Sequence, residues 1–148
     1  MLDERQLGSI EWSAGASLPP VGLPPLTRTM LALYAGGSGD HNPLHIDIDF
    51  ARASAGMDDV IGHGMLTMAL LARYVTALAS ASSLRTYSLR FVEMSKIGDR
   101  IACSGRIVRL YESEGARCAE VELQAARQSG AILAIGSAVL TIASSRCP

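Results

Sequence analysis

One stretch limits the folds open to this chain more than any other. Residues 65–80 read Met-Leu-Thr-Met-Ala-Leu-Leu-Ala-Arg-Tyr-Val-Thr-Ala-Leu-Ala-Ser, and Gly62-His63-Gly64 opens them. Met65, Leu66, Met68, Leu70, Leu71, Val75 and Leu78 cover most directions around a helix, so no single stripe faces a core while the rest meets water. A helix of this kind has to lie inside something. It does not reach the ~20 apolar residues a bilayer requires, and Thr67, Arg73 and Thr76 interrupt it.

The residues that follow supply a wrapping. In 84–94, Tyr87, Leu89 and Phe91 alternate with Thr86, Ser88 and Arg90, the period of a half-buried strand. In 100–111 the phase slips near Gly105, which predicts a bulge. In 117–127, Ala119, Val121, Leu123 and Ala125 alternate with Glu120, Glu122 and Gln124. Residues 131–142 are apolar on both faces, as in a central strand. Glu114-Gly115 and Ser129-Gly130 mark the turns of a meander. The expectation is an α+β domain in which about four antiparallel strands curve around one central helix.

Ahead of the helix, residues 1–25 hold four of the six prolines. Leu-Pro-Pro-Val-Gly-Leu-Pro-Pro excludes a helix or a central strand. An extended lead-in packed on the domain is favoured over a polyproline ligand for another protein. Thr27 is placed to cap a helix covering Met30, Leu31, Leu33 and Tyr34, which the glycines at 36, 37 and 39 end. Asp40–Ile48 is a compact polar segment, and Asp49–Ala55 a short helix stopped by Gly56. The predicted organisation is a lead-in at 1–25, one domain at 26–143 and a tail at 144–148.

Composition narrows the class. The chain has 148 residues and 49% are hydrophobic, enough for a core without disulfides or a structural metal. Thirteen basic and fourteen acidic residues are scattered, so no nucleic-acid partner is expected. The charged start, Met-Leu-Asp-Glu-Arg-Gln, lacks the apolar run of a signal peptide. With no membrane span and three cysteines outside any CxxC spacing (Cys103, Cys118, Cys147), a cytoplasmic protein with reduced thiols is expected.

The chemistry concentrates in Tyr34-Ala-Gly-Gly-Ser-Gly-Asp40-His41-Asn42-Pro43-Leu44-His45-Ile-Asp47, followed by Gly62-His63-Gly64-Met65-Leu66. Asn42-Pro43 forces a bend, around which Asp40 and His45 can converge on one water. Their ordinary pKa values, about 3.9 and 6.5, suit an acid/base pair near neutrality. At Gly64 the first N–H groups of the helix lack intrahelical partners and lie at the positive end of its dipole. Glycine lets a ligand carbonyl approach them. Singly, each signal has a plainer reading: Asp40 as a turn residue, His45 as a structural histidine, Gly62-His63-Gly64 as a loop-to-helix junction. His41 and His45 are four apart, a metal-binding spacing on a helix, but Pro43 disfavours that helix and no third ligand is spaced to join them. No metal is expected.

Gly39-Asp40-x-Asn42-Pro43-x-His45, with His63-Gly64-Met65-Leu66 heading an apolar helix, resembles the hydratase motif of the MaoC-like dehydratases, a family that includes (R)-specific enoyl-CoA hydratases and 3-hydroxyacyl-thioester dehydratases. The resemblance spans roughly residues 22–142. It implies a hot-dog fold, an antiparallel sheet around a long helix, in subunits that pair edge to edge with active sites at the interface. By position it makes Asp40 and His45 the catalytic dyad, Asn42 its support in the substrate site, and Gly64 the residue whose N–H contacts the thioester carbonyl. Some members carry a serine eight residues beyond that glycine; here it is Ala72.

The implied reaction is hydration of a trans-2-enoyl thioester of CoA or acyl-carrier protein, without cofactor or metal. Two alternatives stand beside it. A thioesterase on the same fold usually needs an acidic residue on the central helix, and residues 65–80 contain no Asp or Glu. The other is a subunit that requires a different hot-dog partner; a homodimer or higher homo-oligomer is the simpler expectation.

Overall fold

The computed structural model describes residues 10–142. The charged first residues, Cys147 and the tail at 144–148 lie outside the described residues. In chain order come β1 (Ser17–Gly22), α1 (Arg28–Ser38), a 3-10 turn (Pro43–His45), α2 (Ile48–Ala55), α3 (Gly64–Leu78), a second 3-10 turn (Ala81–Ser83), β2 (Leu84–Phe91), β3 (Ile101–Ser113), β4 (Ala116–Arg127) and β5 (Ile132–Thr141). The strands form one sheet in the order β1-β3-β4-β5-β2, with every neighbouring pair antiparallel.

The sheet begins earlier than the sequence reading places it. The first proline pair lies inside β1, an edge strand paired only with β3. An edge tolerates proline because the missing N–H need not enter a ladder. The register to β3 shifts between Leu18 and Val21, the span that holds Pro19 and Pro20. Leu18 and Val21 are both buried, so this strand packs on the core. β5, apolar on both faces, lies inside the sheet between β4 and β2.

The bulge in β3 falls between Ile107 and Arg109, not at Gly105. Gly105 stays in register opposite Leu123. A Cβ on it would meet the Glu122 carbonyl oxygen at 3.0 Å and Leu18 at 3.2 Å. The glycine therefore serves close packing, which is why it resembles a phase break in sequence.

α3 lies across the sheet and touches β2, β3, β4 and β5. Thr67, Leu70, Leu71, Tyr74 and Val75 are its buried residues. Leu71, Tyr74 and Val75 join Ile107, Val121 and Leu140 in the main core, and each such side chain contributes about 1.5–3 kcal/mol through burial. The enclosure is less complete than its composition predicts. Met65 is 52% exposed, and Met68, Ala69 and Ala72 are half-buried, because one five-stranded sheet covers one side of a helix. Burial also pushes the Cys103 thiol up to about 12, so it behaves as a small core hydrophobe.

α1 runs through two of the glycines expected to end it and stops at the third. Gly36 and Gly37 are helical, and Gly39 closes the helix at φ 77°, its N–H donating to the Ala35 carbonyl. Leu31 and Ala35 are buried on this helix, and the Ser38 hydroxyl donates to the Tyr34 carbonyl, so the last turn has anchors of its own. Leu26, Leu31, Ala51 and Val60 form a second apolar cluster, which Leu66 links to the main core.

Candidate active site

The motif residues come from two segments that cross at the start of α3. Asp40 follows the αL turn of Gly39, and its Oδ1 accepts the Asn42 N–H at 3.3 Å. Asn42 caps the 3-10 turn, its Oδ1 accepting the Leu44 N–H at 3.1 Å. Pro43 occupies the first turn, where a missing N–H costs nothing. The turn ends on His45. Asn42 thus shapes the bend that carries His45, and the side-chain bond described for it is this cap.

His45 is fixed from outside its own segment. Its Nδ1 lies 2.8 Å from the Ile61 carbonyl oxygen. A carbonyl only accepts, so Nδ1 carries the proton and Nε2 keeps its lone pair. Ile61 is bridged to Lys96, and the Gly62 N–H donates to the Ser95 carbonyl at 2.8 Å. The 92–99 segment is held in turn by Arg127, which donates to the Met94 carbonyl at 2.8 Å and pairs with Glu93 at 3.0 Å. Asp99 accepts the Lys96 N–H at 2.8 Å.

The carboxylate of Asp40 and the rings of His45 and His63 each place a ligand atom within 4.8 Å of the other two. His63, read from sequence as part of a junction, belongs to the centre. It is the N-cap residue of α3 and is fully buried. Its Nε2 donates to the Asp40 carbonyl at 3.2 Å, and its ring stacks on that of His45, 3.9 Å between centroids and 29° between planes. Tyr34 also meets the ring edge-on at 4.8 Å. Burial holds the His63 pKa below its usual value near 6.5; the Asp40 hydrogen bond opposes this and the charge of His45 adds to it. The sequence signal was a histidine between two glycines at a helix head, and only tertiary packing distinguishes it from a loop residue.

His41 is exposed and stands apart from this group.

His45 and Gly64 line the same cleft of about 280 Å³, together with Thr67, Phe91 and Ser95. Gly64 is the first residue of α3, and no side chain caps that end of the helix. Its N–H is thus available to an acceptor in the cleft. Phe91, read from sequence as a core position, is 47% exposed and sets its ring against Gly64; a Cβ there would touch it at 3.5 Å. A larger hollow of about 710 Å³ lies across the sheet among residues such as Glu122 and Ser137 and contains none of the motif residues. A carboxylate beside an imidazole with a free lone pair, the imidazole sharing one small cleft with an uncapped helix N–H, can move protons beside a polarised carbonyl.

Comparison with known proteins identifies the family. The model of the MaoC-like domain family matches residues 19–128, and the chain belongs to that family. It is 35% identical over 81 residues to the mitochondrial 3-hydroxyacyl-[acyl-carrier-protein] dehydratase of Arabidopsis thaliana, covering 55% of this chain and 48% of that protein. It is 38% identical over 89 residues to fatty acid synthase subunit beta of Aspergillus oryzae, covering 52% of this chain and 4% of that protein. The chain spans less than half the length of these curated relatives. Among solved structures, the (R)-hydratase from A. caviae involved in PHA biosynthesis superposes with a TM-score of 0.77 at 25% identity, covering 91% of this chain and all of that one. The fold is the hot-dog expected from the sequence.

Proposed function

We propose that this chain catalyses the reversible, stereospecific addition of water to a trans-2-enoyl thioester, giving a (3R)-3-hydroxyacyl thioester. The observation that carries the reading is the grouping: Asp40 stands with His45, and His45 lines one cleft with Gly64, whose helix end no side chain caps. Asp40 and His45 hold the water against C3. Between them they take one proton from it and return one to C2, so oxygen joins C3, hydrogen joins C2, and the pair ends the turnover in its starting state. The Gly64 N–H, at the positive end of α3, stabilises the charge that develops on the thioester oxygen. Matches to a dehydratase and an (R)-hydratase support this class of substrate.

The same reading has two copies pairing through β2. That strand forms one edge of the sheet and ends at Phe91, where Val92 and Met94 also expose apolar side chains beside the cleft. A free edge of this kind is a template for another strand.

Crotonyl-CoA offered to the purified protein tests the activity. Loss of absorbance from the conjugated thioester, with (3R)-3-hydroxybutyryl-CoA as product, is the expected result. Release of free CoA without hydration would replace the reading with a thioesterase.

A further inference from the structure

His63 touches both candidate catalytic groups and is shielded from solvent. It donates to the backbone carbonyl of Asp40 at 3.2 Å, and its ring lies against the ring of His45 at 3.9 Å. Tyr34 also meets the ring edge-on, at 4.8 Å between centroids. The remaining ring nitrogen, Nδ1, is buried and has no hydrogen-bond partner. A buried polar atom without a partner calls for an explanation. An apolar ring would fill the space without it, and an amide would make the bond to Asp40 without the stack.

We propose that His63 is the positioning residue of the hydratase site, fixing Asp40 through its backbone and His45 through its ring. The inference rests on the hydratase reading for its kinetic consequence, though not for its geometry. Asp40 follows a glycine-rich turn; its N–H donates to the Ser38 hydroxyl at 3.2 Å, and its carbonyl is held by His63. The Nε2–H of His63 ties that main chain to the head of α3, the helix that also carries Gly64. His45 is held at Nδ1 by Ile61, a single bond about which the ring can still tilt. The His63 face blocks that tilt. One side chain thereby sets the carboxylate, the imidazole and the helix N–H in a common frame. His63 itself, being buried, exchanges no proton with substrate.

Two substitutions separate the contacts. His63→Phe keeps a ring against His45 and removes the donor to Asp40. His63→Asn keeps a donor and removes the ring. With crotonyl-CoA, each is expected to lower kcat at least tenfold with KM changed less than threefold. A folded variant of either kind that keeps kcat within twofold of wild type overturns the proposal. Nitrogen-15 NMR of the histidine rings gives a readout apart from activity. Wild-type His45 should be the single Nδ1–H tautomer, and His63→Asn should mix the two. A single tautomer left unchanged in folded His63→Asn also overturns the proposal, because Ile61 alone would then hold the ring. A wild-type protein that hydrates no enoyl thioester refutes the proposed reaction, while the NMR result still decides the positioning role.

Discussion

Asp40 and His45 lie five residues apart in sequence and within 4.8 Å in space because Asn42 caps the turn between them and Pro43 starts it. Asp40→Asn and His45→Gln should each lower kcat by about 10²-fold or more, the usual reach of acid–base catalysis, with the fold retained. Near-wild-type hydration by either variant would remove that residue from the dyad. Gly64 is subtler. It does not adopt the left-handed conformation, and an added methyl would meet the Phe91 ring at an ordinary 3.5 Å. Gly64→Ala should therefore fold with a Tm close to wild type while kcat/KM falls well beyond tenfold, because the methyl stands where the thioester must approach. A lowered Tm with unchanged activity per folded molecule would leave Gly64 as a helix-start residue only. These positions were readable from sequence because a short motif states its own local geometry. His63 was not, since its importance lies in what packs against it: Tyr34 and His45, 29 and 18 residues away by number.

At the scale of elements, pattern predicted more than detail. The helix over 65–80 is α3, and the strand periods of 84–94 and 117–127 are β2 and β4. The errors arose at glycines. Gly105 fills a tight crossing rather than a bulge, and Gly36 and Gly37 remain helical, because glycine has one appearance in sequence and several uses. Gly62 is a third use. A Cβ on it would collide with the Ser95 hydroxyl and lie 2.9 Å from Leu26, while its N–H holds the Ser95 carbonyl. Gly62→Ala should thus push the 92–99 wall away from the head of α3. The expected result is a loss of about 1–3 kcal/mol, the usual cost of overpacking, read as a lower midpoint in urea. Activity should fall as well, because Ile61 orients His45 from the same strand bridge. An unchanged midpoint would mean that the wall yields freely.

For the whole molecule, acid should act partly through His63. Its folded-state pKa lies below the usual 6.5, so the folded chain favours the neutral ring. As pH falls below about 6.5 the unfolded chain takes up a proton that the folded one refuses, and stability declines; above that value this group has no effect. Tm measured from pH 7.5 to 5.5 should fall less steeply in His63→Phe than in wild type, and parallel curves would contradict the assignment. Self-association belongs to the same scale. Sedimentation at micromolar concentration should give a dimer, and a monomer that hydrates enoyl-CoA would exclude pairing through β2 as a requirement. None of the residues that decide this was distinctive in sequence. Phe91, Val92 and Met94 read there as one more strand, and only the sheet order makes them a border.

Pro19 and Pro20 in β1 together delete two donors from this border of the sheet, within the span where its register to β3 shifts. The two borders of the sheet are in consequence chemically unequal. A second copy joined at β2 would leave both outer borders bearing prolines. Such a sheet favours closing into a two-fold pair over adding further copies at its outer borders.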